Sequence, residues 1–151
     1  MDKLKLIALD GDDLKVVSAH LQDAVLKVGD MAFVPSERRF AAILNRFDWT
    51  SARSGDKAAA PTRRQTALRF ERVLGAQVTG IDLKAGHEVL ALLALRYEPT
   101  SEEDPQGYLT LVFAGGGAVR LNVECVEAEM KDLGPAWQAS RVPQHPEDDT
   151  A

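Results

Sequence analysis

The stretch LTLVFAGGGAVRLNV, residues 109–123, constrains the fold more than any other part of the chain. Apolar side chains occupy alternate positions before and after three consecutive glycines: Leu109, Leu111, Phe113, Val119, Leu121 and Val123. Such alternation is typical of half-buried strands, and glycines supply the positive φ angles of a tight turn. A phosphate-binding loop would lead into the N-terminus of a helix instead. The stretch therefore predicts a β-hairpin that turns at residues 115–117.

The rest of the chain, up to about residue 125, reads mainly as strands and turns. Strands are predicted in five further segments: 3–9, 24–34 with a break at Gly29 and Asp30, 39–49, 65–81 with a bend or bulge at Gly75, and 88–98. The last of these is an apolar run that also fits a helix, and the strands around it favour a strand. A helical period from Asp13 to Gln22 interrupts the strands, with Asp12 or Asp13 as its N-cap.

A second helix is predicted near the C-terminus. Val126, Met130 and Leu133 fall on one helical stripe, which ends at Gly134 and Pro135. The small, polar and basic segment 50–64 has no periodicity and predicts a mobile loop, while residues 138–151 predict a disordered acidic tail. A single globular domain is thus expected over residues 1–137.

This order of elements predicts an α+β fold of mostly antiparallel strands. A C-terminal helix that plugs a strongly bent sheet or barrel is the arrangement of pleckstrin-homology-like domains. The alternative is an open α+β sheet with both helices on one face. This prediction rests on the pattern of elements alone and carries no function with it.

Charge is distributed unevenly along the chain. The net charge is -5, but residues 36–72 carry nine Lys and Arg against four acidic residues. Four of these cations are placed by the pattern in the mobile loop, where contact with an anionic partner is expected: Arg53, Lys57, Arg63 and Arg64. Arg46 and Asp48 are expected on the solvent side of their strand. Aromatic residues do not alternate with these cations, so nucleic acid is not the expected partner.

The residues RRFAAILNRFDW, LVFAGGGAVRLNVECVEAEMKDLGPAW and VSAHLQDAV together resemble a bacterial domain-of-unknown-function family, number 2948. The resemblance covers nearly the whole chain apart from the loop around Lys57 and the acidic tail. It implies a small cytosolic bacterial protein, and it transfers no catalytic residue because the family has no assigned activity.

The side chains themselves show no catalytic pattern. No spacing of His, Cys, Asp and Glu resembles a metal site, so neither a metal nor a cofactor is expected. The single cysteine, Cys125, cannot form an internal disulfide, and it lies among apolar neighbours that favour a structural thiol. No apolar run is long enough to span a membrane. The expectation is a non-catalytic, cytoplasmic binding or scaffold module that has a protein partner or self-associates; the alternative is a small enzyme or ligand-binding protein.

Overall fold

The computed structural model describes residues 3–48, 62–134 and 137–138. Within these ranges the chain forms one α-helix, three short 3-10 turns and eleven strands. The helix α1 spans Gly11–Leu21, and the strands are β1 Lys5–Ala8, β2 Val25–Lys27, β3 Met31–Val34, β4 Arg39–Phe47, β5 Thr62–Phe70, β6 Val73–Thr79, β7 Val89–Pro99, β8 Gly107–Phe113, β9 Ala118–Val123, β10 Ala128–Asp132 and β11 Trp137–Gln138.

The strands form one antiparallel sheet in the order β1-β10-β5-β4-β2-β7-β8-β9-β6. In addition, β3 pairs with β4, and β11 pairs with β5. The sheet does not close, since β1 and β6 are its two edges. Leu68 of β5 and Leu111 of β8 nevertheless belong to one buried cluster, so the sheet bends around a common core. The predicted class, α+β with mostly antiparallel strands in a bent sheet, is confirmed.

Helix α1 forms where the sequence predicts a helix, although its cap is different. The N-cap is Asp10, whose side chain accepts a hydrogen bond of 2.8 Å from the backbone N–H of Asp13. Asp12 and Asp13, each predicted as the cap, instead occupy the first turn, where negative charge favours the helix dipole. The buried stripe of the helix packs against β7, β1 and β4.

The glycine hairpin is confirmed. Strands β8 and β9 pair in register from Gly107↔Val123 to Val112↔Ala118. Between them, Gly115 and Gly116 have φ angles of 87° and 96°, which side chains other than glycine rarely adopt. The strand predicted over 88–98 is also confirmed as β7, which pairs with β8 along most of its length.

The C-terminal helix predicted over residues 126–133 is wrong. Ala128–Asp132 form strand β10, which inserts between β1 and β5. Val126 and Met130 are buried as expected, but Leu133 is 42% exposed. The buried positions therefore follow a period of two, and the helix that would plug a pleckstrin-homology-like sheet is replaced by a strand.

The long strand predicted over 65–81 is two strands. Phe70 ends β5, and Arg72, with a φ of 60°, turns the chain into β6. Strand β6 then pairs with β9 at the opposite end of the sheet. The predicted bulge is confirmed, since the register shifts between Val73 and Gly75.

The predicted loop 50–64 ends earlier than expected, because residues 62–64 belong to β5. Residues 50–61 lie outside the described residues, as does the predicted tail apart from Gln138 at the end of β11. No helix in the described ranges has the length and apolar character needed to cross a membrane.

Candidate functional site

Polar side chains enter the protein interior at one end of strands β4, β5 and β10. Five of them lie on the core-facing side of the sheet and form what we call the buried charge cluster: Arg46, Asp48, Arg64, Thr66 and Asp132. None is more than 6% exposed. They continue the buried alternation that Leu44, Leu68 and Met130 begin in the same three strands. The core of the protein thus changes from apolar to charged along these strands.

Asp132 is the best-satisfied member of the cluster. Arg46 donates to both of its oxygens, from Nε to Oδ1 at 2.9 Å and from Nη2 to Oδ2 at 3.0 Å. The hydroxyl of Thr66 donates to Oδ1 at 2.9 Å, and the backbone N–H of Leu4 donates to Oδ2 at 2.7 Å. Burial by itself would raise the pKa of Asp132, but the hydrogen bonds from Arg46, Leu4 and Thr66 outweigh it and hold that pKa below its ordinary value.

Arg64 is much less well satisfied. It lies directly across from Arg46 in the β4–β5 register, and like charges in that position repel one another. Its Nε donates to Asp48 Oδ2 at the long distance of 3.4 Å and lies 4.0 Å from Asp132 Oδ2. Its Nη1 is buried and has no hydrogen-bond acceptor in the part of the chain that the structure describes. Arg64 therefore presents a desolvated donor that these carboxylates do not fill.

His20, in the last turn of α1, lies close enough to the cluster for the charges of Arg46, Asp132 and Asp48 to affect its pKa. Burial lowers its pKa, and the positive charge of Arg46 lowers it further, while Asp132 and Asp48 act in the opposite direction. The imidazole is therefore held in its neutral form at pH 7. It lines the cluster without adding charge to it.

The predicted anion-contacting residues occupy different positions from those expected. Arg63 and Arg64 are strand residues, 3% and 2% exposed, so their assignment to a loop is wrong. Arg63 donates to the backbone carbonyl of Asn45 at 3.2 Å. Arg53 and Lys57 lie outside the described residues. Whether these four side chains contact an anion stays a prediction.

Arg46 and Asp48 are also not where the sequence predicts them. They were expected on the solvent side of β4, yet they are 3% and 6% exposed. The expectation assumed that Phe47 alone of these residues faces inward; Phe47 is buried too, so both faces of β4 are covered at this end. Ion pairing with Asp132 and Arg64 is what allows the two charges to be buried.

The outward face of the same strands carries a row of ion pairs, as expected for a solvated sheet. Arg69 of β5 contacts Glu129 of β10 at 3.2 Å and Glu71 at 2.9 Å. Hydrogen bonding to Glu129 raises the pKa of Arg69, and the same bond lowers the pKa of Glu129. These pairs are partly exposed, so each contributes little to stability.

Within the described ranges, no group of three or more His, Cys, Asp and Glu side chains is arranged to hold a metal ion. Cys125 is a free, half-buried thiol.

Fold and cluster together define an open, bent antiparallel sheet with an ion-paired arginine site in its interior. The chain belongs to the family described as "Protein of unknown function (DUF2948)", which matches residues 4–145. The resemblance seen in the sequence is thereby confirmed. Comparison with curated proteins gave no match, and comparison with solved structures gave none either.

Proposed function

We propose that the protein is a non-catalytic binding module that accepts an oxyanion of its partner, a carboxylate or a phosphate, at Arg64. The observation that carries this proposal is the buried Nη1 of Arg64, which has no acceptor among the described residues. Leaving a buried charged donor unfilled costs about 1–3 kcal/mol or more. An incoming oxyanion would recover that free energy through a charge-assisted hydrogen bond.

The charges around Arg64 support an anionic ligand. Among the described residues of the cluster, two arginines face two aspartates, and the third buried arginine, Arg63, lies on the other face of β5. One aspartate, Asp132, already accepts four hydrogen bonds and has little capacity for Arg64. In sequence, the segment that joins β4 to β5 adds Arg53 and Lys57. A site of this composition attracts negative charge.

The cluster is better suited to binding than to reaction. The Thr66 hydroxyl donates to the Asp132 carboxylate, whose other donors, Arg46 and the Leu4 N–H, help to lower its pKa. A carboxylate of lowered pKa is a weak base, so it is poorly suited to take a proton from a nucleophile. We therefore propose a protein partner with an acidic or phosphorylated group, or a second copy of the chain. The single cysteine is consistent with a bacterial, cytoplasmic protein.

The proposal is tested by thermal unfolding with added inorganic phosphate or acetate, against chloride at matched ionic strength. A ligand that binds only the folded state raises stability by about 2.7 kcal/mol at 100 times its dissociation constant. We expect phosphate or acetate to raise the Tm of the wild-type protein above that in chloride. The rise should shrink in Arg64→Lys, which keeps the charge but loses the planar fork, and vanish in Arg64→Gln.

Arg120→Gln is the matched control, because Arg120 is exposed and lies over the ring of Tyr108 at 3.7 Å. Phosphate also stabilises proteins by being excluded from their surface, without binding at a site. Arg120→Gln keeps Arg64, so its rise in Tm should equal that of the wild type. An equal rise in wild type, Arg64→Lys and Arg64→Gln would show that Arg64 binds no oxyanion.

A further inference from the structure

A groove lies between the first turns of α1 and the second half of β7. Residues 95–98 of β7 form one wall, and Gly11, Asp12, Leu14 and Lys15 of α1 form the other. Its volume is about 610 Å³, and it is open to solvent. The groove is separate from the buried charge cluster, which lies beyond the opposite end of α1.

The wall formed by β7 is a strand edge that is only partly paired. Strand β2 covers residues 89–91, and the backbone of Leu92 exchanges hydrogen bonds of 2.8 Å with Asp23 and Ala24. Further along, the N–H of Leu95 donates to the Ser18 hydroxyl of α1 at 2.9 Å. From there to Pro99, no strand in the described ranges pairs with this edge of β7.

The backbone of β7 turns hydrogen-bonding groups toward the groove. In an antiparallel pair, successive residues direct their N–H and C=O groups alternately toward the partner strand and away from it. The Leu95 N–H points away from β8, toward α1. The β7–β8 register is regular from Ala94 to Pro99, so the N–H and C=O of Tyr97 point the same way as those of Leu95. An added strand would use the N–H and C=O of Tyr97, since the Leu95 N–H already donates to Ser18.

The end of the groove next to the start of α1 is acidic. Helix α1 runs antiparallel to β7, since Gly11 lies beside the ring of Tyr97 and Ser18 lies beside Leu95. The exposed loop that follows β7 contacts this end, since the Tyr97 hydroxyl donates to the Pro105 carbonyl. Exposed carboxylates come from the helix start, from β7 and from the loop: Asp10, Asp12, Asp13, Glu98, Glu102, Glu103 and Asp104.

In the described lining of the groove, Lys15 and Arg96 are matched by Asp12 and Glu98, so the excess of negative charge comes from the neighbouring carboxylates of the helix start and the loop. Lys15 lies 3.8 Å from Asp12 in an exposed pair that leaves both side chains accessible. Burial raises the pKa of Tyr97, and the neighbouring Cys125 and Asp104 raise it further, which places the Asp104 carboxylate of the loop near this ring. The excess of carboxylates makes this end complementary to basic side chains.

We infer that the α1–β7 groove binds an extended, basic peptide segment of a partner protein, which adds as a strand to β7. Strand addition of this kind takes affinity from the backbone and specificity from the side chains. Five residues of β7 edge, 95–99, span about 16 Å, which suits a peptide of about the same length. Lysine or arginine of the peptide would lie against Asp12, Glu98 and the loop carboxylates.

The experiment begins with a phage-displayed library of random heptapeptides selected on the immobilised full chain. A synthetic copy of the enriched sequence is then titrated against wild type and against the double variant Asp12→Lys with Glu98→Lys. We expect enriched peptides rich in Lys or Arg, with affinity lowered on the order of tenfold in the double variant at low salt. The milder double variant, Asp12→Asn with Glu98→Gln, should show a smaller loss of affinity. It allows the same titration if the double lysine variant does not fold.

Glu88→Lys is the matched control, because Glu88 is exposed and precedes the other end of β7. Amide hydrogen exchange identifies the mode of binding. The Tyr97 amide should exchange at least tenfold more slowly with peptide bound, while the amides of Arg96 and Glu98, which face β8, should not change.

Three results would overturn the inference. The first is failure of the library to enrich any peptide, and the second is binding that ignores both charge variants. The third is protection of Tyr97 that rises with protein concentration alone, since the occupant would then be a second copy of the chain. Failure here leaves the oxyanion proposal at Arg64 intact, because the two sites share no residue.

Discussion

Arg46 and Asp132 are 86 positions apart in the chain, and two guanidinium nitrogens of Arg46 lie within 3.0 Å of the two carboxylate oxygens of Asp132. Their side chains are 4% and 0% exposed. Pairing in this geometry offsets the cost of removing two charges from water, whereas either charge alone in the same place would be strongly unfavourable. The pair therefore holds β4 and β10 in a fixed relation on either side of β5.

Removing one partner of this pair should be strongly destabilising. We expect Arg46→Met to lower the free energy of unfolding by about 3–5 kcal/mol, because it leaves Asp132 with only two of its donors in a buried position. Adding Asp132→Asn to Arg46→Met should cost less than the sum of the single changes. Urea unfolding of the four proteins in the cycle measures this coupling. Arg38→Gln, which breaks an exposed pair with Glu124, should cost less than about 1 kcal/mol; similar losses at both arginines would contradict the prediction.

The depressed pKa of Asp132 makes stability depend on acid. Since the folded-state pKa lies below the unfolded value of about 3.9, this carboxylate contributes its full stabilisation above that pH and loses it as the pH falls through the folded-state pKa. The stability difference between wild type and Asp132→Asn should therefore be constant between pH 5 and 7 and narrow below pH 4. Chemical unfolding at a series of pH values provides the measurement. A difference that does not change between pH 5 and pH 2 would contradict the assignment.

His20 should make the stability of the fold depend on pH between about pH 7 and pH 5. Its folded-state pKa is lowered, so the folded protein favours the neutral imidazole, and stability falls as the pH drops below the unfolded value of about 6.5. We expect His20→Gln to lose less stability than wild type between pH 7 and pH 5. The exposed His87→Gln change is the matched control for loss of an imidazole. If His20→Gln follows the wild-type profile over this range, the imidazole is not responsible for the pH dependence.

Strand β10 can be distinguished from a helix by two aspartate substitutions. Met130→Asp should cost several kcal/mol because it buries an unpaired charge in the core, where Met130 has no exposed surface. Leu133→Asp should change stability by less than about 1 kcal/mol, since Leu133 follows the strand and is 42% exposed. In a helix, both residues would share one buried stripe. Comparable losses for the two variants in thermal melts would favour the helix.

The glycine turn gives a prediction that depends on backbone strain alone. At Gly116, φ is 96° and a Cβ would meet no atom within 4 Å, so a side chain there has space but an unfavourable backbone. We expect Gly116→Val to cost about 1–2 kcal/mol. Gly116→Asn should cost less, because asparagine tolerates positive φ better than a β-branched residue. Equal thermal stability of the two variants would rule out this explanation.

Most strands were predictable because their apolar side chains alternate clearly. The hairpin at residues 115–117 follows from this pattern, and helix α1 follows from the spacing of Leu14, Val17 and Leu21. Strand β7 is an apolar run, and only the strands around it favoured a strand over a helix. In the hairpin strands and α1 the buried positions are mostly apolar and the exposed positions mostly polar. The spacing of apolar residues in the sequence therefore predicts their secondary structure correctly.

The buried charge cluster was not predictable for the opposite reason. Asp132 occupies a core position of β10, so the buried positions of that strand do not all carry apolar residues. The remaining apolar residues, Val126, Met130 and Leu133, have the spacing of a helical stripe. Arg46 and Arg64 likewise occupy core positions that a sequence pattern assigns to solvent. Their burial depends on partners far away in the chain, and a single sequence contains no signal for such pairs. The wrong helix and the missed site thus have one physical cause.

The antiparallel pairing of β1 with β10 sets a limit on when this chain can finish folding. Lys5 lies opposite Lys131, so a segment made early during translation must wait for one made more than a hundred residues later. Until β10 emerges from the ribosome, β1 lacks the strand with which it pairs and β5 lacks one of its partner strands. Topologies with such distant contacts fold slowly, and the nascent chain exposes unpaired edges that attract other chains or chaperones. Truncation before residue 128 should therefore give a product that aggregates during synthesis, not a smaller folded unit.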